Sequence, residues 1–329
     1  MPEPVGATWL AGDVAPTATE GWRGRLNRLS LGLLKLSAGP VERARLTDER
    51  LIGTQLSRAM TVMVANSKGG TGKTPTAAMT GAVLGRHRGS GVLVWDNNEN
   101  QGTLGDRTQE GRFPTTAVDL LEHISEFEEG HGSVGTLGRF VRHQQSGPFD
   151  VLSSSNDSQR MQAIGADEFS RMHAVLSRFF PLMIVDSGNA SVAPNWVQAA
   201  RTADLLIIPV QWKYDHVRSA ERTIADLRAL GLGHLVDNAI TVITHGSGAS
   251  DKVHAKTWRA WFEENTAQVV DIPFDSHIDV GTALVFDRLA APTQRAFLAL
   301  GAAVARQLAE LDNPYLHLPR KDPPHEESL

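Results

Sequence analysis

The sequence predicts an α/β fold in which a mostly parallel, twisted sheet carries helices on both faces. Three observations predict this fold: short apolar runs recur along the chain, helix-like segments separate them, and a glycine-rich turn joins one run to the first long helix. Strands buried on both faces read as continuous apolar runs, and strands that alternate with helices are typical of parallel sheets. We therefore expect a parallel sheet that is covered on each side.

Seven apolar runs have the length and composition of buried strands. They lie at residues 60–65, 91–96, 149–153, 182–186, 205–210, 239–244 and 269–272. Helical patterns lie after or between them, at residues 74–88, 116–127, 160–180, 191–201, 215–230, 251–264 and 291–312. This alternation predicts one α/β domain over residues 59–312.

Three flanking segments differ in composition from the predicted domain. Residues 1–20 are rich in Pro, Ala, Gly and Thr, so we expect a flexible tail, and the prolines of residues 313–329 predict a disordered one. Residues 21–58 predict a basic helical extension, with an amphipathic helix at 22–36. That helix has two open roles: packing on the main domain, or contact with DNA, a partner or a membrane surface.

Bulk composition excludes several classes of protein. The 329 residues include no cysteine, which rules out disulfides, Cys-ligated zinc and iron–sulfur clusters. Apolar runs are too short to span a membrane, and Met1 to Glu20 do not resemble a secretory leader, so we expect a cytoplasmic protein. Charge is segregated, because residues 21–58 carry eight basic and three acidic residues in a chain of net charge −5.

A glycine-rich segment between the first strand and helix has the features of a phosphate-binding loop. Its residues are Lys68, Gly69, Gly70, Thr71, Gly72, Lys73 and Thr74. Glycines let phosphate oxygens approach the backbone closely, and the following helix directs its N-terminal dipole at them. Lys73 is predicted to contact the β and γ phosphates, and the Thr74 hydroxyl to bind Mg²⁺. Pro75 suits the first helical turn, where its missing N–H has no cost.

The segment NSKGGTGKTPTAA resembles the ATPase loop of the ParA/MinD family in its deviant Walker A, or signature-lysine, form. Ser67 stands where the standard motif has its first glycine, and Lys68 precedes the double glycine. The resemblance implies that ATP and Mg²⁺ are the cofactors. It also implies a homodimer formed with ATP, in which Lys68 reaches across to the partner's nucleotide.

Carboxylates at two strand ends complete the expected site. Asp186 follows an apolar strand, which is the Walker B position for holding Mg²⁺ through water. Asp96 ends the second strand, and Asn98 stands where the ParA/MinD family typically has the Asp that orients the attacking water. Because Asn cannot accept a proton, we expect slow hydrolysis, with Lys68, Lys73, Asp96 and Asn98 as the catalytic set. Glu99 is a possible but weaker substitute.

Later segments resemble the family less specifically. Residues 203–211 are similar to its A-D-x-x-x-x-P-V-x strand, and residues 272–275 to the segment that borders the base, so Pro273 is a candidate adenine neighbour. The resemblance also implies nonspecific DNA binding by basic residues on late helices, a ParB-like partner and nucleoid association. The candidate DNA contacts are Arg218, Arg222, Arg228, Lys252, Lys256 and Arg259.

Three functions stay open at this stage, and a ParA-like ATPase for plasmid or chromosome partition is preferred. The second is a nucleotide-locked scaffold, which the Asn98 substitution motivates. The third is a MinD-like positioning ATPase at a membrane or a secretion system. Membrane binding is disfavoured because the proline-rich, acidic residues 315–329 cannot form a basic amphipathic helix, although residues 22–36 offer an alternative.

Overall fold

The computed structural model describes residues 16–31, 33–99, 102–248 and 250–312. These residues form two compact units, and the division between the units falls after Arg50. The sequence analysis ended the basic extension at residue 58 instead. Most of the two predicted tails, residues 1–15 and 313–329, lies outside the described residues.

The first unit contains helix α1 (Gly21–Leu29) and most of helix α2 (Pro40–Ile52). Residues 16–18, predicted to belong to a flexible tail, pair with residues 36–38 through Ala18 N–H to Leu36 O at 2.8 Å and Ala38 N–H to Pro16 O at 2.7 Å. Helix α1 also ends seven residues before the end of the helix predicted at 22–36. Both differences arise from contacts between distant segments, which local composition does not encode.

The side chain of Asn27 holds this unit together. Its Nδ2 donates to Ala18 O at 2.9 Å and Leu36 O at 3.0 Å, and its Oδ1 accepts from Leu36 N–H at 2.9 Å. Glu42 is buried and accepts from Thr19 N–H and the Thr19 hydroxyl, both at 2.7 Å, and these bonds lower the pKa of Glu42. The paired segments and helix α1 are thereby closed into one structure.

The second unit is built on an eight-stranded sheet, which confirms the predicted fold class. Its strands are β1 (Met60–Val64), β2 (Val92–Asn97), β3 (Arg142–Gln144), β4 (Phe149–Leu152), β5 (Leu182–Ser187), β6 (Leu205–Val210), β7 (Ile240–Thr244) and β8 (Gln268–Ile272). Their order is β3-β4-β2-β5-β1-β6-β7-β8, and every neighbouring pair is parallel except β3 with β4. The antiparallel strand β3 was absent from the sequence prediction.

Helices connect the strands of this sheet. They are α3 (Lys73–Arg88), α4 (Ala117–Glu122), α5 (Ile124–Glu128), α6 (Val134–Leu137), α7 (Ser158–Met161), α8 (Ala166–Leu176), α9 (Pro194–Thr202), α10 (Tyr214–Ala229), α11 (Gly233–Asp237), α12 (Ala255–Asn265), α13 (Ser276–Asp279) and α14 (Ala291–Asp312). A 3₁₀ turn at Phe286–Arg288 precedes α14.

Alternate residues of each central strand enter two separate hydrophobic cores. In β1, Val62 and Val64 pack in the core that contains α3 and α14, and Met63 packs in the core that contains α8, α9 and α10. Every residue of β1, β2, β5 and β6 is buried, as the continuous apolar runs predict.

The central position of β1 places its carboxyl end between the two halves of the sheet. Strands β5 and β2 lie on one side of β1, and strands β6, β7 and β8 lie on the other. In open α/β sheets, ligands bind in the crevice outside the carboxyl ends of the strands at such a switch point. The loop after β1 lies at this crevice.

Candidate functional site

The loop at residues 65–72 depends on glycines with left-handed backbone angles. Gly70 has φ +77° and Gly72 has φ +96°, and a Cβ at Gly72 would lie 3.0 Å from the Thr244 side chain. The Thr244 hydroxyl donates to Thr71 O at 2.8 Å, and Gln211 Nε2 donates to Gly70 O at 3.1 Å. The ends of β6 and β7 therefore fix the loop, which needs glycine at these two positions.

The ammonium group of Lys73 is held beneath this loop. Its Nζ donates to Asn66 O at 2.9 Å, Lys68 O at 3.1 Å and Asn189 Oδ1 at 2.6 Å. Burial lowers the pKa of Lys73, and the charges of Asp186 and Glu99 act in the opposite direction. These three bonds occupy all the donors of the ammonium, so an anion that enters the loop is attracted by its charge and accepts a hydrogen bond by replacing one of the three acceptors.

Two buried carboxylates lie side by side below the first turn of α3. Asp96 and Asp186 are register partners on β2 and β5. Thr74 Oγ1 donates to Asp186 Oδ2 at 2.7 Å, and Ser154 Oγ donates to Asp96 Oδ2 at 2.9 Å. Burial raises the pKa of Asp186 to about 7, with a further contribution from Asp96, and burial raises the pKa of Asp96 to about 6. Lys73 offsets this effect only in part, so the pair disfavours double negative charge unless a further cation binds.

Glu99 contacts the loop that follows β5. Its Oε1 accepts from Ala190 N–H at 3.1 Å, and its Oε2 is buried without a hydrogen-bond partner among the described residues. A Cβ at Gly188 would lie 1.6 Å from Glu99 Oε2, so the Glu99 carboxylate would have to move if residue 188 carried a side chain. Glu99 thus connects the segment after β2 to the loop that carries Asn189.

A cavity of about 490 Å³ opens above these groups. Eight residues predicted from the sequence line it: Gly69, Gly70, Gly72, Lys73, Thr74, Pro75, Asn98 and Pro273. Further lining comes from residues that the prediction did not include, among them Arg107, Asn189, Gln211 and Thr244. Thr71, Asp96 and Asp186 are buried beside the cavity instead of lining it.

The side chain of Lys68 lies outside the cavity. Its Nζ forms an ion pair with Asp215 Oδ2 at 3.1 Å, in the first turn of α10. The Lys68 and Asp215 side chains are 48% and 56% exposed. Exposed pairs of this kind contribute at most about 1 kcal/mol, so Lys68 exchanges its partner readily.

The six candidate DNA contacts divide into two groups. Arg218 pairs with Glu221, Arg228 with Asp237, and Arg259 with both Glu263 and Asp271. The other three are Arg222, Lys252 and Lys256, which are exposed and form no ion pair with any described residue. Helices α10 and α12 carry five of the six, and Lys252 precedes α12.

Several site residues were missed by the sequence analysis. Asn66, Asn189, Gln211 and Thr244 each hold the loop or Lys73 through a side-chain hydrogen bond. A signal was present, because Asn189, Gln211 and Thr244 stand at or just after the ends of predicted strands, where a parallel sheet gathers its ligand contacts.

No protein-family model matches the chain. Two curated proteins, both the ESX-1 secretion-associated protein EspI of Mycobacterium tuberculosis (strains CDC 1551 and H37Rv), are 26% identical to it over 289 residues. The alignment covers 86% of this chain and 41% of each EspI sequence. The chain thus spans about two fifths of the length of these relatives.

Solved structures share the architecture more broadly. The ParA family ATPase of Chlorobium tepidum has a TM-score of 0.60 at 14% identity, covering 74% of this chain and 98% of its own. The cell division ATPase MinD of Pyrococcus furiosus has a TM-score of 0.60 at 18% identity, covering 75% and 99%. MinD of Pyrococcus horikoshii, complexed with Mg-ADP, has a TM-score of 0.59 at 16% identity, covering 78% and 99%. The chain therefore has the ParA/MinD type of P-loop ATPase fold.

Proposed function

We propose that this chain is a Mg²⁺-dependent ATPase that binds ATP in the cavity above Lys73 and switches between a monomer and an ATP-bound dimer. The observation that carries the proposal is the buried Lys73 ammonium, held under a loop with left-handed glycines at 70 and 72. The adenine would lie near Pro273, which lines the same cavity. The fold and the Mg-ADP complex of a structural neighbour support this reading.

The donor set beside Thr74 fits a magnesium ion. Asp186 Oδ1 is buried and has no hydrogen-bond partner among the described residues, although its Oδ2 accepts from Thr74. Hard oxygen donors of a threonine and a carboxylate, supplemented by water and phosphate, are what Mg²⁺ prefers. When bound, Mg²⁺ would supply positive charge to the phosphates. Thr74 and Asp186 would hold it, beside Asp96, the register partner of Asp186 on β2.

Lys68 is proposed to serve the dimer. Because its pair with Asp215 is exposed and weak, ATP in a partner subunit can compete for the Lys68 ammonium. We expect Lys68→Ala to bind Mg-ATP within about threefold of the unaltered chain yet to stay monomeric, since only a contact across the interface is lost. Size-exclusion chromatography with light scattering measures this, with Lys252→Ala as the matched control. Dimerisation of both variants at the same ATP concentration would contradict the role.

Hydrolysis is proposed to be slow because Asn98 lies at the cavity in place of a carboxylate. Asn98→Asp supplies a proton acceptor at this position, and we expect it to raise steady-state turnover by about 10- to 100-fold. Phosphate release is the measurement, and Asn238→Asp, outside the cavity, is the control. If Asn98→Asp hydrolyses ATP no faster than the unaltered chain, both alone and with DNA and a partner protein, the nucleotide-locked scaffold is supported instead.

For the cellular role we propose DNA partition, with nonspecific DNA bound by the ATP dimer, a ParB-like partner and association with the nucleoid. The basic residues without ion pairs to described residues, Arg222, Lys252 and Lys256, are the best candidates for phosphate contact. Their triple alanine variant should weaken DNA binding and reduce the slope of log affinity against log salt by about 2 to 3. Fluorescence anisotropy checks this against Arg139→Ala, and equal slopes would remove these residues from the interface.

A second candidate is a positioning ATPase at a secretion system, which the similarity to the secretion-associated EspI proteins favours. In the part of the chain that the structure describes, none of the helices is both long and apolar enough to cross a bilayer. Comparative pull-down with DNA and with secretion-apparatus components, both in the presence of Mg-ATP, separates the two roles. If the chain binds components of the secretion apparatus and not DNA, the secretion role is supported in place of the partition role.

A further inference from the structure

The first unit displays a cluster of exposed leucines just after helix α1. Leu29, Leu31 and Leu33 are 81%, 94% and 89% exposed, and Leu34 is 47% exposed. We name residues 29–31 and 33–35 the leucine loop. Isolated exposed leucines are common on proteins, but a group of four close together in one segment is typical of a surface that binds a protein or a membrane.

The leucine loop has a defined backbone. Leu33 N–H donates to Ser30 O and Leu34 N–H to Ser30 Oγ, both at 3.0 Å, and Ser30 Oγ donates to Asn27 O at 3.0 Å. Leu31 has φ +49°, a left-handed conformation that leucine rarely adopts. In this conformation the Leu31 side chain is not buried within the unit. A strained, exposed leucine in a hydrogen-bonded turn points to an external partner.

Basic residues flank the leucine loop in the sequence. Residues 21–41 include four basic residues and no acidic one. Arg25, Arg28 and Lys35 are exposed on either side of the leucines, and the guanidinium of Arg23 lies 5.4 Å from the ring of Trp22, which is itself 65% exposed. Exposed leucine, tryptophan and long basic side chains within one segment are the composition of elements that lie in the interface of a bilayer.

We propose that the leucine loop docks this chain on anionic lipid membranes. The leucines enter the boundary between headgroups and acyl chains, and Arg25, Arg28 and Lys35 bind lipid phosphates. A nucleic acid offers the phosphates but no apolar layer for four leucines, so the apolar component favours lipid over DNA. The docking does not require nucleotide, so it stands or fails separately from the proposed ATPase.

The absence of cysteine allows a direct test on the full chain. Leu31→Cys labelled with an environment-sensitive fluorophore should brighten and shift to the blue on vesicles of equal parts phosphatidylglycerol and phosphatidylcholine, without nucleotide. The matched control is Val134→Cys, at a position in the second unit that is 73% exposed. No change at position 31, or an equal change at position 134, would overturn the proposal.

Vesicle sedimentation of two variants separates the contributions of charged and of apolar side chains to membrane binding. The double variant Leu31→Asp/Leu33→Asp should bind vesicles at least about tenfold more weakly, since two apolar side chains are lost from the membrane interface. Arg25→Gln/Lys35→Gln leaves Arg28 in place, so it should retain weak binding with a reduced dependence on phosphatidylglycerol and on salt. These four side chains are exposed, so unchanged thermal unfolding is expected and excludes misfolding. Membrane docking would be refuted if both variants bound vesicles as well as the unaltered chain does, or if the segment bound DNA and not vesicles.

Discussion

Lys73→Ala is expected to reduce the affinity for Mg-ATP by about 100-fold or more. The Lys73 ammonium is already desolvated under the loop, so its attraction to the phosphates is not weakened by the removal of water at the moment of binding. Alanine removes that charge and leaves the carbonyl oxygens of Asn66 and Lys68 without the donor that they share. Lys73→Ala should therefore reduce the affinity for Mg-ATP far more than the same substitution of a surface lysine does.

Isothermal titration with Mg-ATP measures this loss. Lys256→Ala is the matched control, because Lys256 is exposed and carries no ion pair with a described residue. Thermal unfolding without nucleotide shows whether Lys73→Ala stays folded, which is expected since the loop is also held by Gln211 and Thr244. A folded Lys73→Ala protein that binds ATP as tightly as the control would remove the foundation of the proposed function.

Asp186→Asn should have opposite effects on stability and on cofactor binding. In the folded protein, burial and the neighbouring Asp96 raise the pKa of Asp186 to about 7, whereas an unfolded Asp has a pKa near about 3.9. The folded state therefore binds more protons than the unfolded state between about pH 4 and pH 7, and stability falls as pH rises through this range. Asparagine is neutral at every pH, so we expect it to stabilise the nucleotide-free protein by about 1–3 kcal/mol at pH 8.

The same substitution should abolish the effect of Mg²⁺ on ATP binding. The amide oxygen of the substituted asparagine would still accept the Thr74 hydrogen bond, so the loop geometry survives while the charge that holds the ion is lost. Denaturant unfolding at pH 5 and pH 8, and ATP titration with and without Mg²⁺, give the two readouts. Asp237→Asn, at an exposed position, is the control. A variant that is less stable at pH 8, or that keeps its Mg²⁺ dependence, would show that Asp186 has a different role.

Local patterns in the sequence were sufficient for the central architecture. All seven predicted strands occur, and each end lies within one residue of the prediction, because a buried parallel strand is an uninterrupted apolar run whatever its neighbours are. The glycine loop was equally predictable, since the left-handed angles at Gly70 and Gly72 leave glycine as the residue that fits. Pro273 lines the cavity, and it was proposed as an adenine neighbour only because residues 272–275 resemble a segment of the ParA/MinD family.

Contacts between distant segments account for what the sequence did not reveal. The amide of Asn189 reaches Lys73 across 116 positions of the chain, and no spacing rule encodes such a pair. Helix α1 was predicted too long because its leucines have helical spacing, yet its buried residues are Gly24 and Asn27. Leu33 and Leu36 were assigned to the helix face, but Leu33 is exposed beyond the end of α1 and Leu36 pairs with Ala18.

The bonds of Lys73 make ligand binding in its cavity detectable elsewhere in the chain. Asn189 depends on the Lys73 ammonium, and the adjacent Ala190 N–H is held by Glu99 from the segment after β2. A ligand oxygen that draws the ammonium away deprives Asn189 of its partner and loosens one side of this connection. Binding at the Lys73 ammonium is therefore expected to affect the segment after β2 and the loop after β5, which Glu99 and Asn189 connect to it.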